Sequence, residues 1–96
     1  MSDKIRVNYP ALEDMAKHCQ MVSQQLQQTA AMAQKIAGQM QNGALIGEPG
    51  EIYVQALGMF YQRVVKLSAK FSEEANDIKQ AIADMQQADN TAGGNF

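Results

Sequence analysis

His18 and Cys19 are the side chains best equipped for nucleophilic or metal chemistry in this chain, and they are adjacent. Neighbours on a helix point about 100° apart, so the imidazole and the thiol cannot share a small site. Cys19 reads most simply as a small buried hydrophobe, and His18 as a surface residue. A second group, Glu73, Glu74, Asp77 and Asp84, would matter chemically if its carboxylates converged. Interleaved with Lys70 and Lys79, they read instead as a solvated helix face carrying spaced charge pairs. Gly43-x-x-x-Gly47 matches a small-xxx-small pattern but sits outside any apolar stretch of membrane length, so membrane helix pairing is not indicated. There is no phosphate-cradling loop and no dinucleotide fingerprint. These residues define no catalytic site, no metal site and no cofactor site, and the expectation is a non-enzyme.

The elements that carry these residues are two heptad patterns. From Leu12, one row runs Leu12, Cys19, Leu26, Ala33 and Met40, and a second runs Met15, Val22, Thr29 and Ile36. Two rows stepping by seven form an a/d seam on a long helix. The second half repeats the pattern with Leu57, Val64, Phe71, Ile78 and Met85, beside Tyr53, Phe60 and Leu67. That companion row meets Glu74, and its apolar character slides to Ala75 and Ile82, as a 3.6-residue helix does against a seven-residue repeat. Asn8 or Tyr9 suits the first N-cap, with Pro10 just inside. Asn42-Gly43 reads as a stop, Gly43 taking the left-handed cap conformation. Pro49, flanked by Glu48 and Glu51, suits a second helix start.

The fold expected is all-α, an antiparallel helix–turn–helix hairpin that dimerises into a four-helix bundle. Helix one covers about 9–42, the turn 43–49 and helix two about 50–89, with residues 91–96 as a flexible tail. The chain is 96 residues long, enough for a single small domain. Leu45 and Ile46 in the turn are expected to cap the end of the seam. Ala and Met supply much of the apolar content, so one seam makes a thin core. Ile52, Val54, Met59, Tyr61 and Val65 lie off that seam and are expected to form a partner-binding face. Pairing through it gives a homodimer, with a heterodimer with a paralogous chain as the alternative.

Charge narrows the partners. A net charge of −2 and a pI near 5.2 leave no basic footprint for nucleic acid. A single cysteine forms no internal disulfide. The opening residues MSDKIRVNYP have no apolar core of a Sec signal peptide, and no run is long enough to span a bilayer. Synthesis in the cytoplasm and no direct membrane insertion follow as expectations.

A chain of this length with a midpoint turn resembles the WXG family, the ESAT-like small substrates of bacterial type VII secretion. Leu45-Ile46-Gly47 occupies the place of the family's Trp-x-Gly turn, and Glu51 and Tyr53 follow as its acidic and aromatic residues do. Tyr9 before helix one and a short Gly-containing tail are also similar. The resemblance spans nearly the whole chain. Leu45 replaces the family's Trp, and no tyrosine follows Tyr61, so the Tyr-x-x-x-acid signal after helix two is missing; Tyr9 to Glu13 is its single match, at the other end. The resemblance implies a small secretion substrate or carrier partner, exported as a folded dimer without a Sec signal peptide. A membrane-anchored, FtsK-like secretion ATPase would read its C-terminal segment, from Met85 to Phe96. The rival reading is a structural hairpin, either an adapter or a needle-like filament subunit, which would form open assemblies where a two-fold dimer closes.

Overall fold

The computed structural model describes residues 7–44 and 47–94. Helix α1 runs Tyr9–Gln39, a π-helical segment follows at Met40–Ala44, and helix α2 runs Glu48–Gly94. The two helices pack antiparallel into a hairpin 75 × 20 × 15 Å, one layer of helices thick. Its length follows from α2, whose 47 residues at 1.5 Å each span about 70 Å.

Local chemistry sets the boundaries. Asn8 caps α1: its side-chain oxygen accepts from the Ala11 backbone N–H at 3.1 Å, and its carbonyl takes the first helical bond from Leu12. Pro10 sits in the first turn, where a missing N–H costs nothing. The expected stop at Asn42-Gly43 is corrected. Regular α-winding ends at Gln39, and the chain loosens into a π turn that contains both residues. Among the described residues the glycine with a positive φ is Gly47, at +102°, and not Gly43. Gly47 reverses the chain and its carbonyl accepts the first bond of α2, from Glu51 at 3.2 Å. Glu48 and Glu51 lie in that first turn, where the helix dipole favours negative charge.

At the other end α2 continues past the expected close at 89, through Asn90, Thr91 and Ala92 to Gly94. That stretch holds no proline to stop it, and the Tyr9 hydroxyl donates to the Asp89 carboxylate, fastening the helix just before it. Leu45, Ile46 and Phe96 lie outside the described residues, and with them the expected capping of the seam.

The seam is displaced by one residue from the expected rows. Leu12, Cys19, Leu26 and Met40 are half-buried and Ala33 is buried, as expected, but the second inward row of α1 is Ala16, Ser23, Ala30 and Ala37. Met15 and Thr29 are exposed. On α2, Val64 is buried and Leu57, Phe71, Ile78 and Met85 are half-buried, beside a row running Val54, Tyr61, Ser68, Ala75 and Ile82. Tyr53, Phe60 and Leu67, expected inside, are exposed. The reason is steric. Small side chains on both helices let the backbones approach closely, so the helices turn their small rows toward each other and their bulky rows away.

Candidate functional site

The displaced seam creates the surface of interest. On each helix a row runs just outside the seam: on α1 Met15 and Thr29, exposed, alternate with Val22 and Ile36, half-buried, and on α2 Tyr53, Phe60, Leu67 and Glu74 are exposed. In an antiparallel hairpin these two rows fall on the same broad side of the rod. A shallow groove confirms it, being lined jointly by Thr29, Met32, Ala33 and Ile36 from α1 and by Leu57 and Phe60 from α2. Phe60 and Met32 line that groove and are exposed, and Tyr53, Leu67 and Met15 are exposed elsewhere along the two rows.

The opposite broad side is mainly polar. In the register of the Gln20–Lys79 contact, Gln27 of α1 falls near Ser72 of α2 and Gln34 near Val65, all exposed, with Gln86 exposed further toward the open end. The Lys79 ammonium bridges the helices there, donating to Gln20 Oε1 at 3.2 Å. One broad side of the rod is therefore the richer in exposed apolar residues, and the other is mainly polar with Val65 exposed on it.

The five residues expected to bind a partner are spread over three surfaces. Val54 and Tyr61 are half-buried in the hairpin's own seam. Ile52 and Met59 are exposed on the outer edge of α2, and Val65 is exposed on the polar side. The main apolar side consists instead mostly of residues assigned from sequence to the seam, Tyr53, Phe60, Leu67 and Met15, together with Met32, which the sequence puts off it. Their seven-residue spacing was visible; the equal spacing of Ala16, Ser23 and Ala30 and of Ser68 and Ala75 was the signal that would have turned them outward.

Of the turn residues, Gly47 and Glu51 join the two elements as described, and Tyr53 contributes to the apolar side. Met85 is half-buried near the open end. There Tyr9, Gln86, Asp89 and Asn90 line a small polar recess. The Asp89 carboxylate, by accepting the phenol's hydrogen bond, holds the Tyr9 hydroxyl above its ordinary value of 10.0; lost hydration and the nearby negative charge act in the same direction.

His18 is exposed and Cys19 is half-buried and unpaired in a disulfide. Glu73, Glu74, Asp77 and Asp84 are exposed, Asp84 accepting from Gln80 one turn earlier at 3.0 Å. Among the described residues no group of three His, Cys, Asp or Glu side chains is placed to hold a metal ion. None of the described helices is long and apolar enough to cross a membrane.

Fold and surface together define an all-α helical hairpin with one exposed apolar side. Comparison with protein-family models, curated proteins and solved structures returns no match.

Proposed function

We propose that the chain is a non-enzymatic interaction protein that works by pairing its apolar side with a second copy of itself. The observation that carries this reading is the exposure of Met15, Met32, Tyr53, Phe60 and Leu67, five of the nine large exposed hydrophobics among the described residues, along one broad side of the rod. Surface area supports it. The hairpin exposes 7654 Å², whereas a compact monomer of 10.5 kDa exposes about 5,400 Å². The excess, about 2,200 Å² for one chain, is more than the roughly 800 Å² that each partner loses in a standard-size interface, and so leaves ample surface for pairing. A second layer of two helices completes a four-helix bundle.

On its WXG-like features we read such a dimer as a small type VII secretion substrate or carrier partner. The hairpin supports that reading, as do Gly47 at the bend and Glu51 and Tyr53 behind it. In this reading the open end, around Met85 and the residues beyond, docks on an FtsK-like secretion ATPase, and the chain leaves the cell folded and without a Sec signal peptide.

Sedimentation equilibrium at micromolar concentration tests the pairing: a closed dimer is expected. A stable monomer overturns it, and open filaments under the electron microscope favour the needle-like alternative. Export is tested by comparing the culture medium of cells making the full chain and a form lacking residues 86–96. Equal amounts outside would remove the docking role of that end.

A further inference from the structure

Sulfur is unevenly divided between the core of the hairpin and its surface. The buried hydrophobic residues are Ala16, Ala30, Ala33, Val64, Ala75 and Ile82, none of which carries a sulfur atom. Met40, Met85 and Cys19 are half-buried along the seam, whereas Met15, Met21, Met32 and Met59 are each more than half exposed. The exposed methionines fall into two sets. Met32 lines the groove with Ile36, Leu57 and Phe60, and Met15 is exposed on the same broad side, closer to the open end. Met21 lies two residues from both Cys19 and Ser23 of the seam, about 200° round the helix from each, and so points away from the hairpin. Met59 stands in the same relation to Leu57 and Tyr61 on α2.

A thioether packs in an apolar interface much as leucine does, but a mild oxidant changes it. The sulfur gives a lone pair to one oxygen of a hydroperoxide and the O–O bond breaks. The peroxide hydrogen moves to the departing oxygen, which leaves as water, or as an alcohol where the peroxide is organic. The sulfur is oxidised by two electrons to the sulfoxide and the peroxide is reduced by the same two, so no cofactor is needed. The product is polar and accepts hydrogen bonds, and burying it without a donor incurs the desolvation cost of a polar group.

We infer that Met15 and Met32 are oxidation sites that control the apolar side: a hydroperoxide converts them to sulfoxides and weakens association, while the hairpin itself stays folded. This rests on the self-association proposed above and names its regulation. The reaction proceeds on the unpaired chain, where both thioethers are open to solvent. Each copy brings both residues to the interface, so a symmetric pair bears the cost twice over. The fold is spared because its buried layers are built of Ala, Ser, Val and Ile, which peroxide leaves unchanged. Folding and pairing therefore respond separately to one oxidant. Sulfoxide reductases, by regenerating the thioether, return the chain to its pairing form.

The test uses the full chain with Cys19→Ala as parent, which removes the thiol as a second target. Dimer dissociation constants are measured by sedimentation equilibrium before and after hydrogen peroxide. Peptide mass mapping reports sulfoxide at each methionine, and far-ultraviolet circular dichroism reports helicity. Oxidation is expected to weaken the dimer by at least about tenfold with helicity retained, and a mixture of the two methionine sulfoxide reductases to reverse the change. Met15→Leu with Met32→Leu keeps the apolar volume, so this variant should pair as the parent does and go on pairing after peroxide. Met21→Leu with Met59→Leu leaves the apolar side alone and should lose pairing on oxidation as the parent does. An oxidised parent that pairs as tightly as before, or a Met15, Met32 variant that weakens as much as the parent, overturns the assignment and leaves self-association standing. Loss of helicity on oxidation overturns the sparing of the core. A parent that is monomeric before any oxidation overturns self-association and this inference together.

Discussion

Ser23 and Ser68 bind each other's backbones across the hairpin. Each hydroxyl donates to the other residue's carbonyl oxygen at 2.9 Å, and the two Oγ atoms are 3.0 Å apart. Both side chains are 3% exposed, and no buried side-chain polar atom among the described residues lacks a partner. A side chain as short as serine reaches the opposite backbone only where the helices are close. The pair therefore marks a close approach of the two helices, and as a polar contact among apolar layers it favours one register.

Replacing Ser23 with Ala removes one donated bond and leaves the other in place, because Ser68 donates to a backbone carbonyl that remains. A loss of about 1 kcal/mol in urea unfolding is expected. Ser23→Leu should cost more, about 1–3 kcal/mol, because the close approach leaves no room for the side chain. If leucine is tolerated as well as alanine, the helices are not closely packed there.

Two glycines should respond with opposite sign to alanine. Gly47 holds φ at +102°, where an L side chain is strained, so Gly47→Ala is expected to lose about 1–2 kcal/mol. Gly58 lies inside α2, and an added Cβ there meets nothing within 4 Å. Gly58→Ala should gain about 0.5–1 kcal/mol through helix propensity alone. Thermal melts of the two variants, each against wild type, decide the matter; equal effects would mean that the bend is not at Gly47.

The hairpin itself is legible in the sequence because seven-residue spacing survives any error in choosing the inward row. Which row faces inward was harder to read. Hydrophobicity ranks Met15, Tyr53, Phe60 and Leu67 above Ala16, Ser23, Ser68 and Ala75, and so assigns the bulky set to the seam. Close packing reverses the order, since backbone approach is limited by the largest side chain between the helices. Ala75 and Ile82 were placed correctly because there the bulky row gives way to Glu74. The position of the left-handed glycine was not legible either: Gly43 and Gly47 are both compatible with a cap, and the π segment that absorbs Gly43 has no clear sequence signature.

The two classes of apolar residue should separate in stability experiments. Ile82 is buried in the seam, so Ile82→Ala is expected to cost about 2–4 kcal/mol at every protein concentration. Leu67 is exposed in the hairpin, so Leu67→Ser should act through association, and its cost should grow as concentration rises. Melting temperatures over a hundredfold dilution series distinguish the two. A Leu67→Ser penalty that is independent of concentration would return that row to the hairpin core.

The Tyr9–Asp89 contact gives the open end an alkaline limit. The carboxylate raises the phenol's pKa in the folded chain, so the contact's contribution is fully present below the unfolded value of 10.0 and is lost as pH rises through the raised folded value. Two measurements follow. In a chain carrying ¹³C-labelled tyrosine, Tyr9 should titrate above 10.0, and Asp89→Asn should bring it back toward 10.0. At neutral pH, Tyr9→Phe should leave the hairpin folded but speed amide exchange across residues 90–94, where α2 loses its tether to α1. Unchanged exchange there would mean that the last turn of α2 holds by its own helical bonds, and that the clasp fixes the position of the end without maintaining its helicity.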